Sequence, residues 1–153
     1  DRITVINDGE LIQLGTPNDI YEHPNNHFIA DFIGESSLLP IKVQNGLVKW
    51  EDLEIKLSSM PKIDGDFLLV VRPEKAFLAD EVENGVNIFE GALLDSIFQG
   101  ESQLLVVELH SKASNREIIR VRVANSGATQ AELPKIGQAV KIGLKVADSY
   151  VVN

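Results

Sequence analysis

The chain of 153 residues contains no cysteine. That excludes disulfides, thiolate metal sites and thiol nucleophiles, and it fits a reducing compartment without requiring one. Aromatic residues are scarce at 6%, and basic ones are outnumbered, 14 Lys plus Arg against 23 Asp plus Glu, for a net charge of −9. Such a surface repels a phosphate backbone, and a single-strand binder needs exposed aromatics along a basic groove, so nucleic acid is not expected as a partner. The one basic stretch runs from Arg116 to Arg122, where Arg120 and Arg122 share one face of a strand and read as a solvated face. Long apolar runs are lacking too: Phe67–Val71 is far too short to span a bilayer, and no basic-then-apolar signal segment is present.

Catalytic signatures are equally absent. The sequence has no GxxxxGK[ST] loop to cradle phosphates, no HExxH and no GxSxG. Its histidines are His23, His27 and His110. His23 and His27 have the i, i+4 spacing of a helical metal pair, but Pro24 between them breaks the helix and turns the rings apart. No metal site is expected. Asp80, Glu81 and Glu83 read as an exposed loop, and no residues form a catalytic constellation, so this stretch of chain is not expected to be an enzyme.

What is present is a soluble, foldable composition with 44% apolar residues. The chain opens inside a hairpin pattern: Ile3, Val5 and Ile6, then Asn7-Asp8-Gly9, then Leu11, Ile12 and Leu14. Such an opening is expected of a processed chain or of a piece of a longer one. Thr16-Pro17-Asn18-Asp19 predicts a helix start, with Thr16 as N-cap, Pro17 at N1 and Asp19 closing a capping box. Pro24 ends that helix, and Asn25 or Asn26 caps a second one carrying Phe28, Ile29, Phe32 and Ile33, with Gly34 as the left-handed residue beyond its end. Its apolar side must be buried, and the β region that follows is the expected partner.

From Leu38 onward the pattern is β. Strands are predicted at Leu38–Val43, Leu47–Trp50, Leu53–Leu57, Phe67–Val71, Ile88–Phe98, Leu104–Leu109, Ile118–Val123, Ala139–Lys145 and Tyr150–Val152. Many short strands with closely spaced turns indicate a sandwich or barrel. Phe67–Val71 suits a strand buried on both faces. Pro73 ends it by removing a ladder donor, which leaves Arg72 and Glu74 at a sheet rim, able to clamp a neighbouring loop. A clasp within the domain is expected ahead of direct ligand contact.

Two stretches carry a family resemblance. Residues 1–40 hold Asp1-Arg2-Ile3, Val5, Gly9, Gln13, Gly15-Thr16-Pro17, Ile20 and Tyr21, then Pro24, Phe28, Ile29, Ala30, Phe32, Ile33 and Gly34. Further on stand Val71-Arg72-Pro73-Glu74 and the turn Phe98-Gln99-Gly100-Glu101-Ser102. In this order the chain resembles the C-terminal part of ATP-binding subunits of bacterial ABC importers, of the sugar, polyamine, iron and phosphonate type that ends in a TOBE regulatory domain. The resemblance implies a mainly β fold, an OB-like TOBE barrel preceded by a β-hairpin and two short helices. Residues 1–34 would close an ATPase domain lying upstream, and residues 35–153 would be the regulatory domain. ATP and Mg would bind upstream, with no cofactor here. The implied partners are a second copy of the subunit, permease subunits reached through the ATPase domain, and a small-molecule or protein effector. The implied place is cytoplasmic, peripheral on the inner face of the cell membrane.

The candidate regulatory or interface residues are Arg72, Pro73, Glu74, Phe32, Gly34, Gly100 and Glu101. Phe98–Glu101 looks nearer the polyamine, iron and phosphonate branches than the sugar branch. The rival reading is a stand-alone module binding a small oxyanion, which has no use for residues 1–34. Deprived of an upstream sheet, the opening hairpin is expected to pack on the β domain or on another copy in a non-native way, or to be mobile.

Overall fold

The structure is a computed structural model that describes residues 1–32, 36–112, 116–125 and 133–153. The side chains of His27, Asp31 and Phe32 lie outside the described set, as do Ile33 and Gly34 altogether, so the expected helix end at Gly34 and the domain boundary there also lie outside it.

Strands β1 (Ile3–Asn7) and β2 (Glu10–Gly15) form the opening hairpin. Asp8 and Gly9 take φ of 49° and 80°, so both central turn residues are left-handed, which matches the twist of the flanking strands. Helix α1 (Pro17–Glu22) starts as its sequence dictates: Thr16 Oγ1 accepts from Asp19 N at 3.1 Å and Asp19 Oδ2 accepts from Thr16 N at 3.0 Å. Helix α2 (His27–Phe32) is capped by Asn26, whose Oδ1 accepts from Ile29 N at 3.1 Å.

Hydrogen bonding to its carboxyl from the Thr16 side chain and, next, from the Thr16 backbone holds Asp19 below the ordinary 3.8. A carboxylate lowered in this way supports α1 above its unfolded pKa, and the support is lost as the pH falls through the lower folded value. Observed by NMR, Asp19 should titrate below 3.8, and Thr16→Ala should raise its midpoint while α1 amides exchange faster. A midpoint unmoved by Thr16→Ala would remove the capping box as the cause.

Among the described residues, the inner face of the hairpin packs on its own two helices. That face, Val5 and Ile12, joins Ile20, Ile29 and Phe28 in a small core of its own. Phe28 therefore faces the hairpin, contrary to the expectation that it would meet the β region. The reason is proximity along the chain: α1 and α2 fold straight back over β1 and β2 and cover one side of them. Gln13 fastens this arrangement. Its buried side chain donates to the His23 carbonyl at 3.0 Å and accepts from Asn25 N at 2.8 Å, bracketing the turn between the helices. The outer hairpin face stays open, with Ile6 and Leu11 each 62% exposed.

The remaining strands form two five-stranded antiparallel sheets. One holds β3 (Ser37–Gln44), β4 (Leu47–Trp50), β5 (Leu53–Glu54), β6 (Gly65–Val71) and β12 (Val151–Val152) in the order β12-β6-β3-β4-β5. The other holds β7 (Phe77–Leu78), β8 (Val86–Phe98), β9 (Ser102–Leu109), β10 (Ile118–Ala124) and β11 (Ala139–Lys145) in the order β10-β9-β8-β11-β7. Their facing side chains form one core, with Leu39, Ile41, Leu69 and Val71 from the first sheet meeting Phe89, Leu105, Val121 and Ile142 from the second. The architecture is mainly β, as expected. Strand β6 is buried on both faces at its end because Val70 points the other way, into a patch shared with Ala30 of α2, Val152 and Tyr150.

Several predicted strands change. β7 was not anticipated, because a two-residue strand has no periodicity to detect. The Leu53–Leu57 segment is a ladder only as far as Glu54. Beyond it, Ile55 N still donates to Val48 O at 2.8 Å. At Lys56 a side chain takes over: Asn87 Oδ1 accepts from Lys56 N at 2.9 Å and Asn87 Nδ2 donates to Lys56 O at 2.8 Å. Tyr150 lies just outside β12, its backbone carbonyl accepting from Val70 N at 3.1 Å.

Candidate functional site

The β6 strand ends at Val71, and the next residue is the centre of the joint between the helices and the barrel. Arg72 is 3% exposed. Its guanidinium donates to the Tyr21 carbonyl at the end of α1 and, at 2.6 Å, to Ser36 Oγ just before β3. It also lies over the Tyr21 ring, 4.2 Å from its centroid. One side chain thus grips both ends of the segment that carries α2. Among the described residues no carboxylate hydrogen-bonds to Arg72; its partners are a carbonyl, a hydroxyl and a ring.

Pro73 and Glu74 act on the other side. The Arg72 carbonyl accepts from Lys75 N and Ala76 N, both at 3.0 Å, which folds the chain into a turn. That turn presents the Pro73 carbonyl to Arg122 N of β10 at 2.8 Å, and Ser37 Oγ accepts from Arg120 N at 3.2 Å. These bonds close a seam between the two sheets. Glu74 pairs with Arg122 at 3.7 Å, both about a third exposed, an ion pair of small energetic weight. The Arg120/Arg122 face is therefore not simply solvated. Among the described residues, Arg72 Nε and the Tyr150 hydroxyl are buried in the joint with no well-aligned hydrogen bond. Burial pushes the Tyr150 phenol above its ordinary value, and the Arg72 charge pulls it part of the way back.

Gly100 and Glu101 belong to a different place. Gly100, with φ 83°, forms the turn between β8 and β9, where its carbonyl accepts from Asn125 Nδ2 at 2.8 Å and the Glu101 carbonyl from Asn125 N at 2.9 Å. Beside this tip Phe98 is 65% exposed. The structure ties Arg72, Pro73 and Glu74 together and leaves Gly100 and Glu101 apart from them. The Phe32 side chain and Gly34 lie outside the described residues.

Among the described residues, open clefts of about 600 Å³ indent the barrel surface. The most acidic is lined by Glu51, Asp52, Glu54, Glu83 and Glu90, with Lys112 on its edge held to Asp52 at 2.5 Å. Asp80, Glu81 and Glu83 are exposed, as expected. Among the described residues no group of three or more side chains could hold a metal ion, and no helix is long and apolar enough to cross a membrane.

A family model described as the TOBE domain matches residues 69–152. The spermidine/putrescine import ATP-binding protein of Borreliella afzelii is 30% identical over 159 residues, covering 100% of this chain and 40% of its own length. Its counterpart from Ruegeria pomeroyi is 33% identical over 150 residues, covering 93% of this chain and 38% of its own. The sulfate/thiosulfate import ATP-binding protein of Brucella melitensis is 44% identical over 80 residues, 52% of this chain and 22% of its own. The chain thus spans between about a fifth and two fifths of the length of these relatives.

Proposed function

The chain belongs to the TOBE domain family and is homologous to C-terminal regions of ABC importer ATP-binding subunits, and from this we propose that it is the regulatory and dimerisation end of such a subunit, part of ATP-driven solute uptake. The observation that carries the reading is the Arg72 joint. A hairpin and two helices form one packed unit, and a buried guanidinium fastens that unit to the barrel. Motion of whatever holds the hairpin then has a path to the barrel through the Arg72 contacts.

On this reading residues 1–34 belong to the ATPase side and 35–153 to the regulatory side. ATP and Mg bind in the longer subunit, which is a transport ATPase, and this stretch holds neither. Arg72, Pro73 and Glu74 form the joint, and Phe32 and Gly34 remain candidate interface residues by their place in the sequence. Gly100 and Glu101, beside exposed Phe98, form a surface for a second copy or an effector. The subunit sits on the inner face of the membrane against its permease partners.

The test is an antibody raised against this chain, applied to source cells. A polypeptide well over twice the chain's length, in the membrane fraction and active as an ATPase once immunopurified, is expected. A band at the chain's own size without ATPase activity would overturn the reading in favour of a stand-alone oxyanion-binding module.

A further inference from the structure

We propose that Asn45 is a site of spontaneous covalent modification: the Gly46 backbone nitrogen attacks the Asn45 carboxamide, ammonia leaves, and water opens the resulting ring to aspartate or isoaspartate, which adds charge to the β3–β4 turn and lengthens it. This is chemistry of the turn itself and stands independently of the transport assignment.

The step needs no co-reactant but water. The Gly46 nitrogen forms a bond to Asn45 Cγ, and the bond from Cγ to Nδ2 breaks. The proton of the Gly46 amide leaves with the departing group as ammonia, and a five-membered succinimide remains. Water then adds at one of its two carbonyls. Opening at Cγ gives aspartate. Opening at the backbone carbonyl leaves the main chain running through Cγ, which is isoaspartate.

Three observations select Asn45. The first is its successor. A side chain on the following residue crowds the attacked peptide, and only Asn45 and Asn84 precede glycine in this sequence. A Cβ at either glycine would meet nothing within 4 Å, so both peptides are open to approach. The second is that Asn45 is exposed and, among the described residues, its carboxamide makes no hydrogen bond. Other asparagine side chains are committed: Asn26 caps α2, Asn125 holds Gly100, and Asn87 holds Lys56 and Ser149. The third observation separates the two Asn-Gly turns. Gly85 is anchored through its carbonyl, which accepts from Val146 N at 2.9 Å. Gly46 lies beyond the last ladder pair, Gln44 with Leu47, and joins no other backbone bond among the described residues. Asn45 N donates to Asp64 Oδ2 at 3.2 Å, an exposed bond. The Asn45–Gly46 peptide therefore rotates towards the attacking geometry at little cost.

The fold itself calls for the reactive pair. Both turn residues are left-handed, with φ of 52° and 79°, a conformation that favours Asn-Gly. Conversion places a carboxylate beside Asp64, at the cleft lined by Lys42, Lys49 and Asp66. Isoaspartate also inserts a carbon into the main chain of a two-residue loop, and loop length sets the register of the strands it joins. Val43 and Val48, the pair just inside the turn, are core residues, so the change is felt there first.

Peptide mapping reads the reaction. Trypsin cuts after Lys42 and Lys49, so the peptide 43–49 carries Asn45 as its only asparagine, whereas Asn84 falls in the peptide 76–112. The folded chain is aged at neutral and at mildly alkaline pH, digested and weighed by mass spectrometry, with an isoaspartyl methyltransferase as the probe for the lengthened product. The peptide 43–49 is expected to convert ahead of 76–112, to convert faster at the higher pH because attack needs the deprotonated nitrogen, and to accept methyl groups. The converted chain, separated by its added charge, should exchange the Val43 and Val48 amides faster than fresh protein, while Val107 and Ile142 report that the barrel is still folded. Conversion at Asn84 first would overturn the proposal. So would conversion of Asn45 only in urea, which would show that the folded turn protects it, or unchanged exchange at both valines in the converted chain.

Discussion

Gly91→Ala is expected to destabilise the barrel by about 3 kcal/mol or more, an effect at the upper end of overpacking. A Cβ at this position would lie 2.4 Å from the Glu108 carbonyl oxygen and 2.9 Å from Val107 Cγ1. The nearer obstacle is backbone, and it cannot rotate away. Nor can Gly91 itself retreat, because β8 is paired with β9 on one side and β11 on the other, Gly91 opposing Leu109 and Val140. Relief requires opening the β8–β9 ladder.

Gly143 offers the internal contrast. There a Cβ would meet the Phe77 ring at 2.5 Å, but the ring belongs to a half-buried side chain on the two-residue edge strand β7. Gly143→Ala should therefore cost less, about 1–2 kcal/mol, and pairing it with Phe77→Leu should restore most of the loss. Urea unfolding of the three variants decides the matter. A Gly91→Ala midpoint within error of the parent would show that the sheet can spread at no cost.

Asn87→Ala should cost about 2–4 kcal/mol, because it strands several part-buried groups at once. The Asn87 amide accepts from Lys56 N, donates to Lys56 O and donates to Ser149 Oγ at 2.9 Å. Ser149 in turn donates to Lys145 O at 2.8 Å, and its own carbonyl accepts from Ser58 N at 2.8 Å. This network joins the two sheets where no backbone ladder does. Asn87→Asp tests the chemistry rather than the size. It keeps the shape but turns the donor towards Lys56 O into an acceptor, so it should also destabilise and should recover part of the loss at low pH, where the carboxyl carries a proton. Equal stability of Asn87→Asp and the parent at neutral pH would show that the amide donor contributes nothing.

The parts of the fold legible in the sequence share one property: their partners are near in the chain. Asp8-Gly9 and Asn45-Gly46 announce left-handed turns, and both pairs take positive φ. Thr16 and Asp19 close a capping box three residues apart. Alternation along β3 places Leu39, Ile41 and Val43 inside. The proline in Arg72-Pro73-Glu74 signals a strand end, and β6 stops at Val71. The grip of Arg72 on Tyr21 was not foreseeable, because the two residues are 51 positions apart. Gln13 stood out only as one letter of a family pattern, and its bracket on the helix turn needed the helices in place.

The sequence by itself determined the element types, the turns, the caps and the absence of thiol chemistry and phosphate-loop motifs, since those follow from local torsion preferences and composition. Only the tertiary structure decided that the hairpin packs on its own helices, that Asn87 replaces a missing ladder, and that a charge is buried at the joint. These choices depend on which surfaces meet. Apolar burial is non-directional, so a pattern of apolar residues states that a face will be covered but not by what. Once the faces have met, directional hydrogen bonds to residues such as Tyr21, Ser36 and Lys56 select one arrangement among the many that burial alone would allow.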